Sequence, residues 1–412
     1  MLITPLSAKF HIANRQRLAK TIGDSAMAVI DTADVLARGD LEYPYRPDPN
    51  FYYLTGITEP EAVLVLVPGH ANHSARELLF VSGTSQHIDL WEGERLTPEA
   101  ASQISGIATV LPLSELDFYL NRLLQKFPTV YLNAQEAPGD APNTPSARRA
   151  RAWRQSLPLH ALRSALPALG LQRTIKDPLE IEQIRRAVAI TTAGLGAAWR
   201  MVKPGCHEYG LEAEIAAEFI RLGSDHGFSP IVAAGRHATI IHCMKNAGRV
   251  GDNDLVLFDI GGLSNFYAAD ISRTIPASGH FTDRQRAVYE AVRHAQTEGI
   301  KLCRPGATIL SVDEHMRSVL TEQLKQLGLK GPLRDYYPHI SHHLGLDVHD
   351  TGDPRAEFTP GMVITCEPGL YVREEGIGVR LEDDLVITAD GNEVLSADIP
   401  NAPDELEQLL NK

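Results

Sequence analysis

The sequence predicts an α/β (α+β) chain of two domains: an N-terminal α/β domain over residues 1–172 and a second domain over 173–412 built as a pseudo-twofold duplicate. Three observations predict it. At 412 residues the chain exceeds what one ordinary hydrophobic core organises. Short apolar runs alternate with helical patterns through the first part of the chain. Beyond Asp177 one order of landmarks occurs twice, at a spacing of roughly 100–110 residues.

The elements follow in chain order. Ala62 to Val67, closed by Pro68-Gly69, reads as a buried strand with its stop signal. Glu77 to Val81 and Thr129 to Leu132 read as further strands. Residues 134–147, rich in Ala, Pro, Asn and Gly, read as a long surface loop. Arg148, Arg149, Arg151 and Arg154, with Trp153 among them, read as a solvated helix face; a subunit or substrate-tail contact is the alternative. The second domain opens on a helix with Asp177 as N-cap, Pro178 at the first helical position and Glu180 completing a capping box. It runs to about Val202 and stops at Lys203-Pro204-Gly205.

The repeat then unfolds. The first half reads helix, Lys203-Pro204-Gly205, helix, Leu222-Gly223, a histidine region around His242, a strand ending at Asp259 and another carrying Asp270. The second half reads helix (capped by Thr282 and Gln285), Arg304-Pro305-Gly306, helix, Leu327-Gly328, a histidine region at 339–349, a strand ending at Glu367 and another carrying Glu382. Each half delivers two carboxylates from equivalent places, which places a metal site between the halves.

Composition bounds the function. Hydrophobic residues make up 43% and charged residues 22%, ordinary for a globular chain. The net charge of −13 argues against general nucleic-acid binding. Cys206, Cys243, Cys303 and Cys366 form no Cys-x-x-Cys pair and read as neither a structural zinc site nor a disulfide framework. No signal peptide and no membrane-length apolar run is evident, so the expectation is a cytoplasmic protein without membrane attachment.

The chemistry lies in the acids. A buried carboxylate is costly unless something positive neutralises it, and Asp259 and Glu367 each end a run that reads as a buried strand. If the turn after Gly261-Gly262 centres on Ser264-Asn265, Asp259 and Asp270 fall directly opposite each other on one face. Glu382 heads the run Glu382-Asp383-Asp384, which by default is solvated. The apolar strand after it and Arg380 before it favour at least one acid pointing inward. Four carboxylates with His342 form a hard, oxygen-rich set suited to Mn²⁺ or Co²⁺, less clearly Zn²⁺ or Fe²⁺. Two such ions can activate a bridging water and polarise a carbonyl. His242, His339 and His349 are candidates to line the site; Cys243 and Cys366 read as packed thiols.

These residues carry a family resemblance. Asp259, Asp270, His342, Glu367 and Glu382, in that order, resemble the ligand set of the pita-bread metallopeptidases. Gly345 to Asp350 and Gly376 to Asp384 resemble the proline-specific branch, aminopeptidase P and prolidase. Tyr45 to Gly56, continuing through Glu59 to Leu66, resembles the aminopeptidase P N-terminal domain. The resemblance implies that Asp270 and Glu382 bridge two metals, that Asp259 binds one, and that His342 and Glu367 bind the other. It implies a metal-bridging hydroxide as nucleophile, with Glu367 handling its proton. His349 would bond the scissile carbonyl, His242 would line the site, and His339 and Arg380 join them in substrate binding. The implied activity is that of an Xaa-Pro aminopeptidase acting on peptides with proline second. A prolidase confined to Xaa-Pro dipeptides is the nearest alternative, and a non-catalytic peptide-binding module the distant one. The resemblance also implies a homo-oligomer, dimer or tetramer. The family usually carries a histidine four residues before the metal-binding one; here Pro338 stands there, with His339 one step later.

Overall fold

The computed structural model describes residues 2–83, 90–91, 93–135, 143–337 and 341–411. The chain divides into two units, Thr4–Gln172 and a second unit from Arg173 onward that also takes in Leu2 and Ile3. Among the described residues no helix is long and apolar enough to cross a membrane.

The first unit is built on a six-stranded mixed sheet. Its strands are β1 (Ala26–Asp31), β4 (Ala62–Leu66), β5 (Glu77–Val81), β6 (Thr109–Pro112), β7 (Thr129–Leu132) and β8 (Ala161–Ser164), while β2 (Ala37–Arg38) and β3 (Leu41–Glu42) form a separate exposed hairpin. The order is β6-β5-β4-β1-β7-β8. β1 pairs antiparallel with β4 and parallel with β7. The three strands expected from their apolar runs are therefore present, and β1 and β4 are buried along their whole length. Such two-sided burial is why β4 reads as a continuous rather than an alternating run. Met27, Val29, Val65, Phe80, Leu120 and Val130 share the core.

The expected loop over 134–147 ends earlier than the composition suggests. Thr144 caps a helix over Pro145–Ser156, with Pro145 at its first turn; residues 136–142 lie outside the described residues. On that helix Arg148 and Arg149 are paired within the unit. Arg148 meets Asp34 at 2.7 Å, and Arg149 meets Asp31 at 2.6 Å while stacking over Trp153.

In the second unit the capping box of Asp177 and Glu180 starts the helix Pro178–Trp199. That of Thr282 and Gln285 starts the helix Asp283–Leu302. The first helix stops about a turn before Val202. Each is followed by a second helix, Glu208–Arg221 and Ile309–Gln326. The landmarks repeat in backbone geometry as well as in residue type. Gly205 and Gly306 both sit at φ 87°, and Gly223 and Gly328 both at φ 69°, conformations that a side chain would strain.

Each half then forms a three-stranded sheet. The first holds β9 (Ile231–Ala234), β10 (Leu255–Ile260) and β13 (Ile271–Pro276) in the order β13-β10-β9; β11 (Leu263–Ser264) and β12 (Tyr267–Ala268) close the hairpin between β10 and β13. The second holds β14 (Val363–Cys366), β17 (Asp383–Ile387) and β18 (Asn392–Val394) in the order β14-β17-β18, with β15 (Gly369–Val372) and β16 (Ile377–Arg380) as the inserted hairpin. This is the duplicated arrangement expected from the repeat.

Candidate metal centre

The first pair of acids is set by β10 and β13. Alternation along β10 puts Leu257 and Asp259 on one face; Leu257 packs with Ile231, Ala233 and Tyr371. The ladder pairs Asp259 with Ser272, not with Asp270. The expected register is thus wrong by two residues. The turn centres on Asn265-Phe266, and both take positive φ, 47° and 67°, as a two-residue hairpin turn of this hand requires. Two residues of offset keep Asp270 on the face of Asp259, as a diagonal neighbour rather than a directly opposed one.

The second pair is in direct register. Cys366 pairs with Asp383 and Gly369 with Arg380, so the ladder carries Glu367 across from Glu382. Leu381 N donates to Pro368 O at 3.2 Å between them. All three acids of the run 382–384 are buried, which corrects the solvated default. Asp383 is neutralised by Arg273 at 2.6 Å and held by Gln296 at 2.9 Å.

His342 joins the acids from the segment bonded to Thr365 of β14. Its Nδ1 lies 3.0 Å from the His343 carbonyl, which can only accept, so Nδ1 carries a proton and Nε2 is the ring atom turned toward the acids. Nε2 lies 3.4 Å from both Asp270 Oδ2 and Glu367 Oε1. Thr365 donates to Glu367 Oε1 at 3.0 Å and accepts from His342 N at 3.2 Å, tying these two together. Ligand atoms of Asp270, His342 and Glu382 lie within 4.8 Å of one another, close enough to hold an ion.

The electrostatics ask for positive charge. Burial pushes Asp270 and Glu382 well above the usual carboxylate range, and each is raised further by the other acids of the cluster. Burial likewise raises Glu367 and Asp384. Burial opposes the charge on His342, but Glu367 and Glu382 outweigh it and raise its pKa. Arg380, buried and bonded to Asp259, Ser272 and Tyr371, supplies one fixed cation. Asp259 Oδ1 and Asp384 Oδ1 are buried with no hydrogen-bond partner among the described residues. Buried acids in excess of cations, with oxygens still unsatisfied, fit divalent metal ions.

The remaining predicted residues divide. His349 meets His342 edge-to-face with ring centroids 4.4 Å apart. Burial lowers its pKa, and the charges of His342 and His242 lower it further. His339 lies outside the described residues. Cys243 and Cys366 are buried free thiols, Cys366 packing on Met316 Sδ at 3.6 Å. Three participants escape sequence reasoning. Ser272 donates to Glu382 Oε2 at 2.8 Å, Tyr371 accepts from Arg380 at 2.9 Å, and Asp384 accepts from Asp270 N at 3.1 Å. Only Asp384 had a signal, its place in the acidic run.

Comparison with known proteins decides the family. Residues 182–389 match the model of Metallopeptidase family M24, and residues 11–131 match Aminopeptidase P, N-terminal domain. The Xaa-Pro aminopeptidase of Escherichia coli K12 is 37% identical over 424 residues, covering 96% of both chains. The chain belongs to the Xaa-Pro aminopeptidase family. Human Xaa-Pro aminopeptidase 3 is 31% identical, over 94% of this chain and 81% of that protein. A solved structure described as a putative aminopeptidase P from Bacillus anthracis superposes with a TM-score of 0.94 at 34% identity, over 98% of this chain and 99% of that one. The Xaa-Pro aminopeptidase family thus accounts for both the N-terminal α/β unit and the duplicated pita-bread unit, and it makes the chain a metallopeptidase with a dimetal-binding centre.

Proposed function

We propose that this chain is an Xaa-Pro aminopeptidase that removes the N-terminal residue from peptides with proline in second place. The observation that carries the reading is the cluster of buried Asp270 and Glu382 with half-buried His342 on a chain similar over nearly its whole length to Xaa-Pro aminopeptidases. We assign Asp259, Asp270, His342, Glu367 and Glu382 as ligands of two divalent ions, Mn²⁺ first because the set is hard and oxygen-rich. When bound, such ions acidify a water and polarise the scissile carbonyl.

The protein's own groups do the rest. Glu367 takes the proton of the attacking water and returns it to the proline nitrogen as the bond breaks. His349 donates to the carbonyl oxygen as charge develops there; its lowered pKa keeps the ring neutral, and a neutral imidazole still carries one N–H. Asp259 faces the substrate's free amino group. His242 lines the site beside His349, and Arg380 holds Asp259 in place. We further assign a homo-oligomer, dimer or tetramer, acting in the cytoplasm.

Substrate length tests the reading against a dipeptidase, which must read the proline carboxylate with a basic group or a wall. After reconstitution with Mn²⁺, kcat/KM is measured on Ala-Pro and Ala-Pro-Ala. Cleavage of the tripeptide at its first bond, at a rate at least comparable to the dipeptide, is expected. Dipeptide cleavage with no tripeptide cleavage would turn the reading to prolidase.

A further inference from the structure

Asp350 follows His349 directly, and its carboxylate is gripped by two buried cations. Oδ1 accepts from Arg173 Nη2 at 2.5 Å, and Oδ2 accepts from Lys176 Nζ at 3.0 Å. The side chains of Lys176 and Asp350 are each only 1% exposed. Arg173 also reaches Asp347 Oδ2 at 2.8 Å. Burial alone would raise the Asp350 carboxyl, but Lys176 and Arg173 outweigh it and hold it below the usual range.

The backbone around this group is closed. Asp350 N donates to His343 O at 2.8 Å, making 343–350 a loop shut at its base. The start of the loop is fastened to β14, with Leu344 N on Val363 O at 3.1 Å and Thr365 N on His342 O at 2.9 Å. Ala268 N donates to Gly345 O at 2.9 Å, adding a tie to the hairpin that leads into Asp270. A Cβ at Gly345 would collide with the Asp350 carboxylate, so carboxylate and loop backbone are in direct contact. Lys176 is fastened in turn, its backbone N donating to Gly361 O at 2.8 Å. The base of the loop is thus tied to β14, to Ala268 and to the two cations, and His349 stands one residue from the clamp.

We propose that Asp350, clamped between Arg173 and Lys176, is a positioning residue that holds His349 over the metal centre. The proposal rests on the reading of His349 as the donor to the scissile carbonyl. A reacting group displaced by about 1 Å can cost on the order of 100-fold in rate, so the clamp sets turnover without touching substrate.

The test is a double-mutant cycle on the Mn²⁺-reconstituted full chain, using Ala-Pro-Ala. Asp350→Asn is expected to lower kcat by about 10- to 100-fold, with KM changed less than about twofold and metal content retained. In a His349→Ala background the same change is expected to cost less than about twofold, because the group it positions is already gone. Equal losses in both backgrounds, or an unchanged kcat in Asp350→Asn, would overturn the proposal. If Asp350→Asn does not fold, Lys176→Met, which leaves Asp350 paired with Arg173, is run through the same cycle with the same criteria. A second arm measures hydrogen exchange of the peptide 343–351 in the metal-free chain. Faster exchange in the variant is expected, and unchanged protection overturns the anchoring. An inactive parent chain would count against the peptidase reading, and the exchange arm would still decide on the clamp.

Discussion

Ser272 and Glu382, 110 residues apart in sequence, share a hydrogen bond of 2.8 Å from the serine hydroxyl to Glu382 Oε2. The same serine oxygen accepts from Arg380 Nε at 2.8 Å. Ser272 belongs to the first half of the duplicated unit, and Glu382 and Arg380 to the second. The first half therefore orients a candidate ligand and a cation supplied by the second. Ser272→Ala is expected to weaken Mn²⁺ binding by about tenfold or more while leaving the fold intact, since losing an outer partner of a ligand costs about 10- to 100-fold. Calorimetric titration of the metal-free variant checks this; parental affinity would refute it.

Asp270 and Glu382 are assigned to both ions. Asp270→Ala or Glu382→Ala is expected to abolish activity and lower metal occupancy. Elemental analysis of the purified variants is the measurement. Two ions retained per subunit with normal turnover would remove both residues from the ligand set.

His349→Ala is expected to lower kcat by roughly 10²–10³-fold, the usual cost of a lost oxyanion donor, with metal content unchanged. The hydrogen bond strengthens only as the carbonyl becomes an oxyanion, so KM should move far less than kcat. A raised KM with parental kcat would place His349 in ground-state binding instead.

The N-terminal unit carries its own pH dependence. Burial drives the His11 pKa down to about 4, helped by nearby Arg15 and opposed by the Tyr53 carbonyl 3.1 Å from Nδ1. The folded-state pKa lies below the unfolded value of 6.5, so this contribution to stability is complete above pH 6.5 and is lost as pH falls toward 4. The shift corresponds to about 3 kcal/mol. Denaturant unfolding of this unit at pH 7.5 and 4.5 is expected to differ by much less in His11→Gln than in the parent. An identical difference in both would assign the acid sensitivity elsewhere.

The candidate ligands were legible where apolar runs meet acids that nothing local neutralises. Asp259 and Glu367 stood out this way, whereas Asp270 and Glu382 were found by their matching places in the repeat. The register of the first pair was not legible, because it depends on Phe266 adopting a left-handed backbone that an aromatic residue rarely takes. The burial of Asp383 was hidden for a different reason. Its partners Arg273, Gln296 and Ser396 are scattered over the unit and meet only in the fold. The clamp on Asp350 shares that character, since Arg173 and Lys176 lie well over a hundred residues upstream of it.

The crossed dependence of the halves extends beyond Ser272. Glu382 N donates to Ser272 O at 3.1 Å, Arg273 reaches Glu382 O at 2.7 Å, and Thr274 donates to Arg380 O at 3.1 Å. The centre is therefore a property of a seam rather than of either half. A substitution that loosens the seam by a fraction of an ångström can leave both halves folded while spoiling the geometry they share. In this protein metal retention is the finer gauge of damage, and it will register injuries that a melting curve passes over.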